Sequence, residues 1–283
     1  MPKRRSDNDI KSAVRKHYGA AITQGAGSCC GPNTGNQAGG RYAQLAGYTP
    51  EELATLPESV TTFGCGNPTT FAEMQPGQVV LDLGSGAGLD LILASKKIGP
   101  TGRVIGLDMT PEMVQAAYVN LTKAGIPNFE IRLGEMEKMP VADGEIDWII
   151  SNCVINLSPD KAKVFAEAYR VLKPGGRLLV SDIVTHHLPE SVRNDVAAWV
   201  SCVGGAVEED EYIRLVKQAG FDQVEVVDRL VYDESSVQAM FCDSSCCTPQ
   251  PITLDTRQSA QPATDFSVLA GRIASIKLSA RKP

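Results

Sequence analysis

The sequence predicts an α/β fold built around a mostly parallel sheet. Three observations predict it. From Val79 to Thr185 short apolar runs alternate with segments of helical periodicity, the pattern of successive strand–helix–strand units. The first run, VVLDLG, ends in a glycine cluster, Gly84-Ser85-Gly86-Ala87-Gly88, which opens a helix. The second run, RVIGLD, ends in an acid, Asp108. The composition agrees. The chain has 283 residues, 43% hydrophobic and 21% charged, with a formal net charge of −6. Those values exclude disorder, collagen and coiled coil. They allow one large domain, or one and a half, with a real core. The mild negative balance gives no reason to expect nucleic acid or an anionic membrane as partner.

Each element has its own signal. Residues 1–20 allow one short helix, and residues 21–40, rich in Gly, Ser, Asn and Gln, read as a mobile loop. A Pro-Glu-Glu start at Pro50 opens a short helix ending around Leu56, and Phe63 to Pro68 is a glycine-punctuated turn. After the first strand a helix runs from about Leu89 to Ile98. Thr110, Pro111 and Glu112 then supply an N-cap, a proline at the first helical position and an early acid. Val114, Ala117, Tyr118 and Leu121 form one apolar face, and Gly125 ends that helix. FEIRL and IDWIIS are the third and fourth strands. Ser158-Pro159-Asp160 starts another helix, whose stripe is Phe165, Ala168, Tyr169 and Leu172, and Lys173-Pro174-Gly175-Gly176 stops it. RLLVSDIV is the fifth strand. Beyond Thr185 come a helix over about Glu208 to Ala219, the strand QVEVVDRLVY, a Ser/Pro/Gln-rich stretch over 233–265 and a last strand in FSVLAGRIASIKL.

The basic start is not followed by the apolar core of a secretory signal. No stretch approaches ~18 uninterrupted apolar residues, so no transmembrane helix is expected, and a reducing cytoplasm is the expected location.

Glycines between a strand and a helix let a ligand approach the backbone, and the helix N-terminus favours an anion or polar group. An acid at the next strand end can accept both ribose hydroxyls. Together these point to an adenosine-containing ligand. A dinucleotide fingerprint would need glycine at position 89, where Leu89 stands. The G-x-G-x-G spacing, with Asp82 two residues before the first glycine, resembles the first motif of class I S-adenosylmethionine-dependent methyltransferases. The resemblance implies a Rossmann-like core in which Asp82, Gly84, Gly86 and Gly88 approach the methionine part of the cofactor. It implies that Asp108, followed by Met109, holds the ribose, that Glu135 and Met136 lie by the adenine, and that Asn152 faces the cofactor.

Eight cysteines against three histidines is the unusual count. A chain with its own core does not need disulfides, and in a reducing compartment thiolate ligands or redox chemistry come first. The paired C-x₂-C spacing of structural zinc is absent. Cys153 and Cys202 also read as small core residues; Cys65, between Gly64 and Gly66 in a turn, does not. Cys153 follows the fourth strand, at the sheet edge where open α/β folds bind ligands. Single thiols from separate loops can meet around one soft centre.

Ser151-Asn152-Cys153-Val154-Ile155-Asn156-Leu157-Ser158-Pro159-Asp160-Lys161 resembles a segment of arsenite methyltransferases. Phe63 to Pro68 and Ser201 to Ala206 resemble that family's first and third cysteine turns, so the likeness covers about residues 10–230. It implies that Cys65, Cys153 and Cys202 bind trivalent arsenic. It implies arsenite and methylated trivalent arsenicals as substrates, with glutathione or thioredoxin as thiol reductant. Cys29 or Cys30 is the implied redox cysteine. Ser201 stands where that family often carries an acid. The implied organisation is an N-terminal region over 1–65, a cofactor domain over 66–185 and an arsenic-binding C-terminal region over 186–283. Cys242, Cys246 and Cys247 form either an auxiliary capture site or a tail without a role. The rival functions are a methyltransferase of small carbon or oxygen acceptors, which leaves the three thiols unexplained, and a metalloid-binding protein without turnover.

Overall fold

The computed structural model describes residues 6–23, 47–57, 60, 64–188, 199, 202–241 and 269–283. Cys29, Cys30, Cys242, Cys246, Cys247, Ser201 and Phe63 lie outside the described residues.

Seven strands form one sheet in the order β3-β2-β1-β4-β5-β7-β6. They are β1 (Val79–Leu83), β2 (Arg103–Asp108), β3 (Phe129–Leu133), β4 (Ile146–Asn152), β5 (Leu172–Thr185), β6 (Asp222–Val231) and β7 (Ile273–Arg281). The first five are parallel to one another, and β7 runs antiparallel between β5 and β6. The α/β fold with a mostly parallel sheet is the one the sequence predicts. β6 and β7 come from beyond residue 185 yet complete the same sheet.

The helices among the described residues are α1 (Asp7–Thr23), α2 (Pro50–Ala54), α3 (Leu89–Ile98), α4 (Pro111–Lys123), α5 (Lys161–Val171), α6 (Glu209–Gln218) and α7 (Glu234–Phe241). Parallel strands covered on both faces must be apolar throughout. Accordingly Leu81, Leu83, Ile105, Leu107, Ile149, Phe165 and Tyr212 pack on one side, and Val80, Ile92, Val104, Trp148 and Ile150 on the other. A third cluster joins Val14, Cys153, Leu157, Cys202, Val203 and Ile273 at the C-terminal edge of the parallel strands.

Local signals placed most boundaries within two residues; the exceptions include α1, which starts at Asp7 and runs to Thr23, into the stretch read as a loop, and β7, which starts at Ile273, inside the segment read as the last strand, and runs on to Arg281. Three further details differ. α2 ends at Ala54 rather than Leu56; its start is a capping box between Thr49 and Glu52. The cap of α5 is Asp160, whose carboxylate accepts from Lys163 N, while the Ser158 hydroxyl is drawn away to Glu137 Oε1 at 2.7 Å. The Lys173–Gly176 stretch, read as a helix stop, already belongs to β5, because Leu172 pairs with Ile146. The Pro68–Phe71 3₁₀ turn and α7 had no counterpart in the sequence reading. No helix of the described residues is long and apolar enough to cross a membrane.

Candidate functional site

β1 lies at the centre of the parallel set, with β2 on one side and β4 on the other. The connections therefore diverge there and leave a crevice outside the strand ends. A cavity fills that crevice. Asp82, Gly84, Ser85, Gly86 and Ala87 line it from β1 and its loop, Gly88 not being among the lining residues, Asp108, Met109, Thr110 and Met113 from β2 and α4, and Asn152, Cys153 and Val154 from β4.

The glycines of the loop serve different needs. Gly88 caps α3 in the left-handed region at φ 91°, and a β-carbon there would fall 2.5 Å from Leu121. Gly86, at φ 50°, borders the cavity, and no chain atom lies within 4 Å of the place its β-carbon would take. A side chain at 86 would therefore enter ligand space. Asp108 is oriented by two backbone amides, Gly86 N to Oδ2 at 3.0 Å and Thr110 N to Oδ1 at 2.9 Å. Burial raises its carboxyl above the usual carboxylate range, and those amides oppose the rise. Asp82 is buried at 3% exposure and is pushed well up by burial and by the nearby charges of Asp90 and Asp108. Asp82, Asp90, Asp108 and Glu137, four acids facing one cavity, suit a cationic, hydroxyl-bearing ligand.

Met136 lines the cavity as expected, but Glu135 does not. An isolated bridge between Glu135 and Lys138 turns this segment so that Gly134, Met136 and Glu137 face in. The Glu135 carboxylate points out to Lys11 and Arg15, at 2.8 and 2.5 Å, and the Lys11 hydrogen bond holds it below the usual range. Glu137 and Ser158 are lining residues the sequence reading passed over. So are Lys11, Val14 and Tyr18 of α1, which close the cavity from the N-terminal side.

Asn152 lines the cavity and also ties its parts together. Its Oδ1 accepts from Gly66 N at 3.1 Å. Its Nδ2 donates to Gly66 O, to Tyr48 Oη at 2.8 Å and to Asp90 Oδ2 at 3.1 Å. Tyr48 in turn donates to Asp90 Oδ1 at 2.7 Å. Asp90 is raised to about 6, chiefly by burial. Tyr48 and Asp90 carry no motif in the sequence; only the first-turn position of Asp90 hinted at a polar role.

Of the three cysteines Cys153 lines the cavity, and the other two meet on it. Cys65 is brought to β4 by the Asn152–Gly66 bonds. It is joined to Cys153 in a disulfide whose α-carbons are 5.7 Å apart. Cys202 is a free, buried thiol whose Sγ donates to Cys153 O at 2.7 Å. Cys153 and Cys202 both hold left-handed backbone, at φ 59° and 65°, an uncommon conformation for a side chain to bear and a frequent mark of functional sites. The Cys202 loop is fixed from outside: Trp199 Nε1 donates to Leu157 O at 3.2 Å, and Gly205 packs on the Asn156 carbonyl.

Three separate thiolates were expected, and here the structure differs. Two of the sulfurs are bonded to each other, and the described residues hold no open cluster of three metal-binding side chains. The physical reason is proximity. Sulfurs on α-carbons this close either share a ligand or join.

Beneath Cys202 lies a buried polar network. Asn156 Nδ2 donates to Asp182 Oδ1 at 2.8 Å, and Tyr212 donates to Asp182 Oδ2 at 3.1 Å. The Lys161 ammonium donates to Ser158 O at 3.2 Å. Burial lifts Asp182 to about 7 and lowers Lys161 to about 8, each opposed by the charge of the other.

Comparison with known proteins adds a family to this geometry. Residues 74–220 match the family described as a methyltransferase domain. An arsenite methyltransferase of Halobacterium salinarum is 38% identical over 276 residues, covering 92% of this chain and 69% of the relative. One from Mus musculus is 34% identical and covers 78% of this chain, which spans 60% of the mouse protein. The crystal structure of an arsenic(III) S-adenosylmethionine methyltransferase from Chlamydomonas reinhardtii superposes with a TM-score of 0.61 at 31% identity. That match covers 84% of this chain and 72% of that one. A glycine loop and paired acids on a parallel sheet, three cysteines at its crevice and this degree of likeness agree. The chain belongs to the arsenite methyltransferase family of S-adenosylmethionine-dependent enzymes.

Proposed function

We propose that this protein methylates trivalent arsenic, with Cys65, Cys153 and Cys202 as its arsenic ligands. The observation that carries the reading is the meeting of Cys65 and Cys202 on Cys153, which lines the same cavity as Asp82, Gly86 and Asp108. The cavity suits S-adenosylmethionine: its carboxylates match a cationic ligand with ribose hydroxyls, and Gly86 leaves open space. Asp108 would hold the ribose, Asp82 and the glycine loop the methionine end, and Met136 the adenine side. When bound, the cofactor supplies a methyl group activated by its sulfonium.

The residues of the chain then do the following. Three thiolates hold arsenic in a pyramidal arrangement that leaves its lone pair free. A lone-pair nucleophile carries no proton, so no general base is required; orientation and exclusion of water are the main contributions. Met109, Met113, Val154 and Leu157 supply apolar walls for that exclusion. Methylation formally oxidises arsenic to the pentavalent state. Two protein thiols return it to the trivalent state by closing to a disulfide, and external thiols reopen that bond by exchange. The Cys65–Cys153 disulfide supports this reading, since it places two of the three sulfurs within bonding reach. A reducing cytoplasm would supply the external thiols, glutathione or thioredoxin, and residues 29 and 30 offer further redox cysteines. In this reading residues 66–185 carry the cofactor and the region from 186 brings the third arsenic ligand.

The test is incubation with arsenite, methyl-labelled S-adenosylmethionine and a thiol reductant, followed by separation of arsenic species. Labelled methylarsenicals are expected. Cys153→Ser is expected to abolish them while cofactor binding persists; full activity in that variant would overturn the assignment.

A further inference from the structure

The roles above leave one wall of the cavity without a function. Lys11, Val14 and Tyr18 recur at i, i+3 and i+7 and so share one face of α1. Lys11 anchors that face, paired with Glu135 at 2.8 Å and Glu137 at 3.0 Å, and Arg15 adds a second bond to Glu135. Two turns beyond Lys11, Tyr18 packs into the cluster that holds Cys65, Cys153, Cys202, Met109 and Trp199. There its side chain hydrogen-bonds the Cys202 sulfur. The surroundings of that sulfur are otherwise ill suited to a thiolate. It is buried, and its own proton is given to the Cys153 carbonyl at 2.7 Å.

We propose that Tyr18 is a positioning residue for the third arsenic ligand, its phenol hydroxyl donating to Cys202 Sγ and holding that sulfur for arsenite. The proposal rests on the reading of Cys202 as an arsenic ligand. Loading condenses a thiol with an As–OH group: the S–H bond and the As–OH bond break, an As–S bond forms and water leaves with the thiol proton. Arsenic stays trivalent and no oxidant is consumed. The hydrogen bond from Cys202 to the Cys153 carbonyl is lost in that step, because its proton departs. The bond from Tyr18 persists, because its proton comes from the phenol. Tyr18 therefore goes on holding the sulfur in place after its bond to the Cys153 carbonyl is lost, and it stays neutral throughout.

The experiment uses the full chain, reduced with a dithiol that is then removed, and compares it with Tyr18→Phe. Arsenite is titrated into cofactor-free protein and followed by the ultraviolet absorption of arsenic–thiolate bonds. Loss of this orienting hydrogen bond is expected to raise both the arsenite Kd and the arsenite KM roughly five- to tenfold. The KM for S-adenosylmethionine is expected to stay within about twofold. Ile10→Ala, a packing change on the same helix, is the control and is expected to leave the arsenite Kd within about twofold. An unchanged arsenite Kd in Tyr18→Phe would overturn the proposal. So would an equal rise in both KM values, or the same loss in Ile10→Ala, since each would mean that Tyr18 only packs α1. Cys202→Ser separates the two levels. If it keeps full arsenite binding and turnover, the ligand reading itself is wrong. If it loses them while Tyr18→Phe is unaffected, only the role of Tyr18 fails.

Discussion

Asn152 grips Gly66 by both backbone polar groups: Gly66 N–H donates to Oδ1 at 3.1 Å, and Nδ2 donates to the Gly66 carbonyl. One carboxamide at the end of β4 thereby fixes the turn that carries Cys65. Because Asn152 also bonds Asp90, at the start of the helix after the glycine loop, the same side chain joins the cofactor side of the cavity to its cysteine side.

Asn152→Asp keeps the shape and reverses this chemistry. It sets an acceptor oxygen against Gly66 O and Asp90, which now receive donated protons. Leaving such buried groups without donors is expected to cost on the order of 2–4 kcal/mol of stability. Chemical denaturation measures that cost. A variant as stable as the parent, still binding arsenite normally, would show that the clamp is dispensable.

Gly64 and Gly86 are expected to fail differently as alanines. A β-carbon at 64 would lie 2.3 Å from the Asn152 carboxamide, so Gly64→Ala must shift the Cys65 turn and lower both melting temperature and activity. At Gly86 the β-carbon meets only open cavity. Gly86→Ala is expected to cost only about 1–2 kcal/mol for its left-handed backbone while cofactor affinity falls. Calorimetric titration with S-adenosylmethionine, set beside thermal melting, distinguishes the two; equal losses in both measurements for both variants would contradict the assignment.

Asp90 should make stability depend on pH in a defined sense. Burial raises its pKa from 3.8 to about 6 in the folded chain. Between those values the folded state holds the proton that the unfolded state has released. This contribution to stability is full below pH 4 and is lost as pH rises through 6. Asp90→Asn removes the group, so its stability relative to the parent should improve by about 2 kcal/mol from pH 4 to pH 7. Urea unfolding at the two pH values reads the difference, and a constant offset would refute the buried-carboxylate account.

Lys11→Met should loosen α1. The pairs to Glu135 and Glu137 are partly buried, so a modest effect of about 1 kcal/mol is expected. Faster hydrogen exchange over residues 7–23 should accompany a rise of a few-fold in the KM for S-adenosylmethionine, and salt should reproduce part of it. Unaltered exchange would mean that apolar contacts such as Val14 hold the helix by themselves.

Much of this was legible along the chain. The strand ends at Leu83, Asp108 and Asn152 each fell beside a motif, because apolar runs and glycine punctuation are local signals. Glu135 was misjudged because the direction of a side chain just past a strand depends on a single bridge to Lys138. Tyr18, Tyr48, Asp90 and Glu137 carried no motif, and each acts only through a partner distant in sequence.

By itself, then, the sequence determined the α/β alternation, the glycine loop with Asp82 and Asp108, and the identity of Cys65, Cys153 and Cys202 as the cysteines of interest. The first two follow from spacing within a few residues, and the three cysteines from the resemblance of their flanking segments to arsenite methyltransferases. The tertiary structure decided the rest. It joined Cys65 to Cys153 across 88 positions of sequence and set Cys202 against the Cys153 carbonyl. It also closed the cavity with α1. The reason is that hydrogen bonds and burial act through space, and only folding brings Gly66 to Asn152 and Tyr18 to Cys202.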